Sequence, residues 1–147
     1  IDGIIGHSFG GMVALLAMEG GPPLTGRLAV PRIVLVSCPN RIAEITARFA
    51  RHWHLGARGL QAFERRLQRV GERAIADFTA VKMLDASGAS ALVIHARDDA
   101  SVPFRAAEEI AAGAIRAHLK VFDGLGHSNI LFAPQVARAT VGFLKQP

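Results

Sequence analysis

The sequence contains a single cysteine, Cys38, and no apolar stretch long enough to span a bilayer. One cysteine cannot form an internal disulfide, so we expect a cytoplasmic protein whose fold has no covalent cross-link. The N-terminus has no basic region followed by an apolar stretch, so neither a secretory signal nor a membrane partner is predicted. Only 20% of the 147 residues are charged and 50% are hydrophobic. This balance is typical of a globular protein and excludes a disordered one.

The net charge of +5 is concentrated in one segment. Residues 41–82 contain nine basic and four acidic side chains, whereas the rest of the chain contains eight of each. The arginines of this segment alternate with apolar residues at helical spacing, which indicates a solvated helix face. No nucleic-acid partner is therefore expected, although a phosphate-binding surface is the alternative interpretation.

Short apolar runs alternate with helical patterns along the chain. Four of these runs predict buried strands, at residues 1–5, 33–36, 91–95 and 119–122. Strands that alternate with helices indicate the α/β class, here a parallel sheet of about four strands flanked by helices within a single domain over 1–147. The carboxyl ends of such strands lie at one edge of the sheet, where ligands bind.

Residues 41–84 lack any strand pattern and instead show apolar residues at helical spacing. We interpret this stretch as a helical lid or cap insertion of two or three helices. The last of these is expected around Ile75, Phe78 and Val81. If the segment is a lid, four aromatic side chains would shape an apolar pocket: Phe49, Trp53, Phe63 and Phe78.

The pentapeptide GHSFG at residues 6–10 follows the first predicted strand and precedes a helix. A serine at the centre of such a turn is typical of a nucleophile elbow, and small residues on both sides let neighbouring chain segments approach. The following helix directs its N-terminus at the site, which favours developing negative charge. We therefore predict Ser8 as a nucleophile, with the N–H of Phe9 as an oxyanion donor.

A serine hydroxyl needs a base to accept its proton, and that base needs a carboxylate to orient it. His127 lies in a glycine-rich loop after the fourth strand and is the candidate base. Asp98 and Asp99 follow the third strand, and spacing alone cannot choose between them. The chain order is then serine, acid, histidine.

Other reactive side chains have simpler interpretations. Cys38 is expected to be a small buried residue just after a strand, and His7 a packed residue rather than a second base. His95 is expected to be a core histidine with a satisfied hydrogen bond. His52 and His54 are two positions apart, which places them on different helix faces, so no metal site is predicted.

These motifs resemble the C-terminal part of an α/β hydrolase. The resemblance rests on residues 4–11 (IIGHSFGG), 95–103 (HARDDASVP) and 124–128 (GLGHS), and it covers nearly the whole chain. The family pattern around the acid is His-Gly, two variable residues, the acid, two more residues and Val-Pro. That register implies Asp99 as the catalytic acid, although Ala96 replaces the usual glycine. The family also places its lid insertion where residues 41–84 lie.

The resemblance further implies a sheet of about eight strands, of which four are visible here. We expect this chain to be part of a longer protein, with the other strands before Ile1. The loop that supplies the second oxyanion donor would also lie before Ile1, so the chain alone is expected to be a weak catalyst or an inactive one. The first strand would be an uncovered sheet edge that pairs with a second copy or with the N-terminal half.

The function expected from these residues is hydrolysis of a carboxylic ester or similar acyl bond in a small molecule, by Ser8, His127 and Asp99 without a cofactor or a metal. One alternative is a non-catalytic hydrolase-like half that serves assembly or binding. Another is acyl transfer by the same triad, because a fold and a triad do not fix the acceptor.

Overall fold

The computed structural model describes residues 1–146, which form an α/β fold. The sheet has four parallel strands in the order β1-β2-β3-β4. They are β1 (Ile4–His7), β2 (Arg32–Val36), β3 (Ser90–Ala96) and β4 (Ala117–Phe122). The predicted fold class and all four strands are confirmed, with ends that differ by a few residues.

Six α-helices flank the sheet. They are α1 (Phe9–Glu19), α2 (Ile42–His52), α3 (Ala57–Gly71), α4 (Ala80–Ser87), α5 (Arg105–Gly113) and α6 (Pro134–Leu144). Short 3₁₀ turns occur at Ile75–Asp77 and Asn129–Phe132. Among residues 1–146, none of these helices is long and apolar enough to cross a membrane.

Both faces of the sheet are apolar, as the continuous β-branched runs predict. In β2, Ile33 and Leu35 face the larger core beneath α1, α4 and α5, whereas Val34 and Val36 face a second core beneath α6. All four side chains are at most 1% exposed. Burial of each contributes about 1.5–3 kcal/mol, which fixes the strand register and therefore the positions of the loops that follow.

Strand β1 lies at the edge of the sheet, as expected. Within residues 1–146 it pairs only with β2, and the Ile5 side chain is 55% exposed. Phe9 and Val13 on the adjoining helix are also about half exposed. This edge therefore presents unpaired backbone groups beside apolar side chains.

The segment 41–84 is helical, apart from an isolated bridge between Arg41 and Thr79. Instead of the short helix predicted near residues 75–82, the structure has the 3₁₀ turn Ile75–Asp77 followed by α4. The Thr79 hydroxyl accepts a hydrogen bond from the Lys82 amide and caps α4, so the helix begins at Ala80. Met83 and Leu84 of α4 are buried in the larger core, so this helix is part of the main domain.

Candidate functional site

Ser8 occupies the turn between β1 and α1 in a strained backbone conformation. Its φ is 54° and its ψ is −132°, a region that costs a residue with a Cβ about 1–3 kcal/mol. The Ser8 amide donates a hydrogen bond to the Val36 carbonyl at 2.8 Å, which ties the turn to the end of β2. The sheet thus holds the Ser8 side chain above its carboxyl edge.

Two glycines let the elbow pack tightly. A Cβ on Gly6 would lie 2.5 Å from the Gly11 Cα, and a Cβ on Gly11 would lie 2.6 Å from the Cys38 Sγ. Around Gly10, by contrast, the described residues leave open space within 4 Å. The prediction that small residues on both sides of Ser8 allow close approach is therefore right for Gly6 and wrong for Gly10. Gly11 takes the second packing role.

Ser8, His127 and Asp99 form a continuous chain of hydrogen bonds. His127 Nε2 lies 3.0 Å from Ser8 Oγ, and His127 Nδ1 lies 2.8 Å from Asp99 Oδ2. The neighbouring Asp98 instead accepts hydrogen bonds from the amides of Gly124 and Gly126 at 2.9 and 3.1 Å. Of the two aspartates that spacing could not separate, the structure places Asp99 against the histidine.

The Asp99 side chain is inaccessible to solvent but well satisfied. Its Oδ1 accepts hydrogen bonds from the amides of Ser101 and Val102, both at 2.8 Å. Burial alone would raise the pKa of Asp99, but the bonds from Val102, His127 and Ser101 favour the charged form and together lower it. Asp99 is therefore a carboxylate at neutral pH.

His95 is fully buried behind Asp99. Its Nε2 donates to the Val102 carbonyl at 3.0 Å and lies 3.4 Å from Asp99 Oδ2. Burial lowers the pKa of His95, so the ring is neutral at pH 7. The prediction of a hydrogen-bonded core histidine is confirmed for Nε2, whereas Nδ1 has no hydrogen-bond partner among the described residues.

His7 contacts His127 rather than Ser8. Its Nε2 lies 2.9 Å from the His127 carbonyl oxygen and donates to it, and the two rings are 4.8 Å apart. His7 is thus the packed residue that the sequence indicated, and it anchors the backbone of the loop that carries His127. Sequence patterns could not predict this contact, because the two residues are 120 positions apart.

Cys38 is a buried residue two positions after β2, as predicted. Burial raises the pKa of its thiol to about 12. The thiol is therefore protonated at neutral pH, which makes it a poor nucleophile.

Phe9 is the first residue of α1, directly after Ser8. Amides in the first turn of a helix have no intrahelical acceptor, and the helix dipole places partial positive charge there. The Phe9 N–H is therefore positioned to bind negative charge that develops near Ser8.

The four aromatic side chains of the segment 41–84 divide into two groups. Phe78 lines an apolar cavity of about 190 Å³ beside α1, together with Phe9 and Leu67. Phe49 instead contacts Phe63 and Trp53, with ring centroids 5.2 and 6.2 Å apart respectively, and Trp53 is 62% exposed. Of the four, only Phe78 lines one of the cavities described here.

A sequence profile described as the alpha/beta hydrolase family matches residues 2–139. The chain therefore belongs to the α/β hydrolase family. None of the curated proteins searched matches this sequence.

Solved structures with the same fold include three esterases. The esterase domain of a Rhodothermus marinus protein is 16% identical with a TM-score of 0.63, over 96% of this chain and 58% of that one. An esterase from Exiguobacterium antarcticum is 17% identical with a TM-score of 0.59, over 97% and 66%. A thermophilic esterase from Thermogutta terrifontis is 17% identical with a TM-score of 0.63, over 97% and 53%. The chain spans between 53% and 66% of the length of these three proteins.

Proposed function

We propose that this chain carries the catalytic residues of a serine hydrolase that acts on a carboxylic ester or similar acyl bond. The observation that carries the proposal is the hydrogen-bond chain from Ser8 through His127 to Asp99. Its geometry matches that of a nucleophile, a base and an orienting carboxylate. The similarity of the fold to esterases of known structure supports an ester as the substrate.

In the proposed reaction, Ser8 Oγ attacks the carbonyl carbon and its proton moves to His127 Nε2. The carbonyl electron pair moves onto oxygen, where the Phe9 N–H stabilises it. The C–O bond to the alcohol then breaks, and His127 returns the proton to the departing alcohol. A water molecule releases the acid from Ser8 by the same steps.

We propose that one oxyanion donor makes the isolated chain a weak catalyst, since loss of such a donor costs about 3 kcal/mol.

Labelling with a fluorophosphonate probe tests the proposal, because the probe reacts with activated serines. We expect labelling of the wild-type chain at Ser8, mapped by mass spectrometry, and none of the Ser8→Ala variant. Ser128→Ala is the matched control, because Ser128 is an exposed serine beside His127 and should leave labelling unchanged. An unlabelled wild-type chain would favour the non-catalytic binding module instead.

We also propose that the β1 edge pairs with a strand of a second copy when no N-terminal half is present. Light scattering should then give twice the 15.6 kDa mass of the chain. Ile5→Lys should restore the monomer, because a charge at an exposed edge position opposes strand pairing. A wild-type chain that is monomeric at high concentration would contradict this proposal.

A further inference from the structure

The cavity that contains Ser8 has a volume of about 390 Å³ and lies between the carboxyl edge of the sheet and α2. Ser8, Phe9 and Pro39 line it from the sheet side. The loop after β3 contributes Ser101, Val102 and Pro103. The remaining lining residues all come from α2: Glu44, Ile45, Ala47, Arg48 and Arg51.

These α2 residues occupy one face of the helix, because positions three and four apart lie side by side. The other face is held by packing. Thr46 and Ala50 are buried, and the Thr46 hydroxyl donates a hydrogen bond to Glu64 of α3 at 2.6 Å. The orientation of α2 is therefore fixed, with Arg48 and Arg51 lining the same cavity as Ser8.

The guanidinium groups of Arg48 and Arg51 are not paired with a carboxylate among the described residues. Among residues 1–146, neither Arg48 nor Arg51 forms an ion pair, whereas Arg73 binds Glu19 through two bonds of 2.8 and 2.7 Å. The one carboxylate of this cavity, Glu44, pairs with Arg41 at 3.4 Å. The cavity therefore carries two unpaired positive charges beside the reactive serine.

We propose that Arg48 and Arg51 bind an anionic group, a carboxylate or a phosphate, on the ester that reacts at Ser8. Guanidinium groups match the geometry of both anions. Ile45 and Phe9 provide apolar contacts for the chain that joins the anionic group to the ester. This inference rests on the proposed function, since it assigns a substrate class to the same site.

Binding to the Ser8→Ala variant tests the inference without turnover. Titration calorimetry compares methyl butyrate with monomethyl glutarate, which adds a terminal carboxylate, and with methyl 4-phosphonobutyrate. We expect at least one anionic ester to bind more tightly than the neutral one, and added salt to weaken only the anionic binding. Arg48→Gln and Arg51→Gln should each weaken it about two- to fivefold, the range for exposed ion pairs. The better of the two anions identifies the group.

Arg66→Gln is the matched control, because Arg66 is exposed on α3 and lines neither cavity described above. The inference would be overturned if neutral and anionic esters bound equally, or if neither anionic ester bound measurably. It would also be overturned if Arg66→Gln weakened anionic binding as much as the two α2 variants do. Fluorophosphonate labelling of the wild-type chain reports separately on the proposed function. If the chain binds an anionic ester but is not labelled, the proposed hydrolase function is refuted and the inferred anion site is retained.

Discussion

Asp99→Asn is expected to slow the reaction of Ser8 on the order of a thousandfold or more, as removal of the orienting carboxylate does in such triads. Asp99 Oδ2 accepts the proton of His127 Nδ1, which leaves Nε2 able to accept the proton of Ser8. An asparagine amide would donate to Nδ1 and favour the tautomer with the proton on Nε2. The measurement is the rate of fluorophosphonate labelling or of ester turnover.

Asp98→Asn is the control for this change, because Asp98 lies next in sequence and bonds only to loop amides. Its rate should remain within a few-fold of wild type. An asparagine oxygen at 99 can still accept the amide bonds from Ser101 and Val102. An asparagine at 98 keeps one of the two glycine amide bonds, so both variants should fold. An equal loss of rate in the two variants would refute the role proposed for Asp99.

Gly6→Ala is expected to destabilise the fold by about 3 kcal/mol, the upper part of the range for overpacked sites. Its Cβ would lie 2.5 Å from the Cα and 2.9 Å from the N of Gly11. These are backbone atoms, which cannot move aside as the end of a flexible side chain can. The measurement is the free energy of unfolding from denaturant titration.

Gly10→Ala is the matched control within the same pentapeptide. The space around Gly10 is open, and alanine is favoured over glycine in a helix by about 1 kcal/mol. We expect this variant to be as stable as the wild type or more so. Similar destabilisation in both variants would contradict the packing role assigned to Gly6.

Local patterns were enough to predict the four strands and to select Ser8 and His127 as candidate site residues. The run from Ile33 to Val36 is apolar at every position, which requires burial on both faces. Ser8 and His127 each lie in a glycine-rich turn after such a run, and parallel strands bring those turns to one edge. The sequence therefore contains the information that positions them.

What the sequence did not predict depends on contacts between distant segments. Spacing alone could not separate the adjacent Asp98 and Asp99. The register of the family resemblance implied Asp99, and in the structure the direction of the turn after β3 places the Asp99 side chain against His127. The arginines at 48 and 51 have the helical spacing of a solvated face, and only the packing of Thr46 against α3 places them at the cavity. Gly10 and Gly6 are both glycines two positions from Ser8, so the sequence cannot distinguish their roles. In the structure, no described segment approaches Gly10.

The three site residues come from the loops after β1, β3 and β4, and Ser8 is 119 positions from His127. A collapsed but incorrectly paired chain cannot bring them together, because a register shift in any one strand moves a loop by several ångströms. The reactivity proposed for Ser8 would therefore be found only in molecules whose four strands have all assembled in register. A destabilised variant would lose labelling in proportion to its unfolded fraction. The extent of labelling at Ser8 would therefore measure the fraction of folded molecules in a preparation.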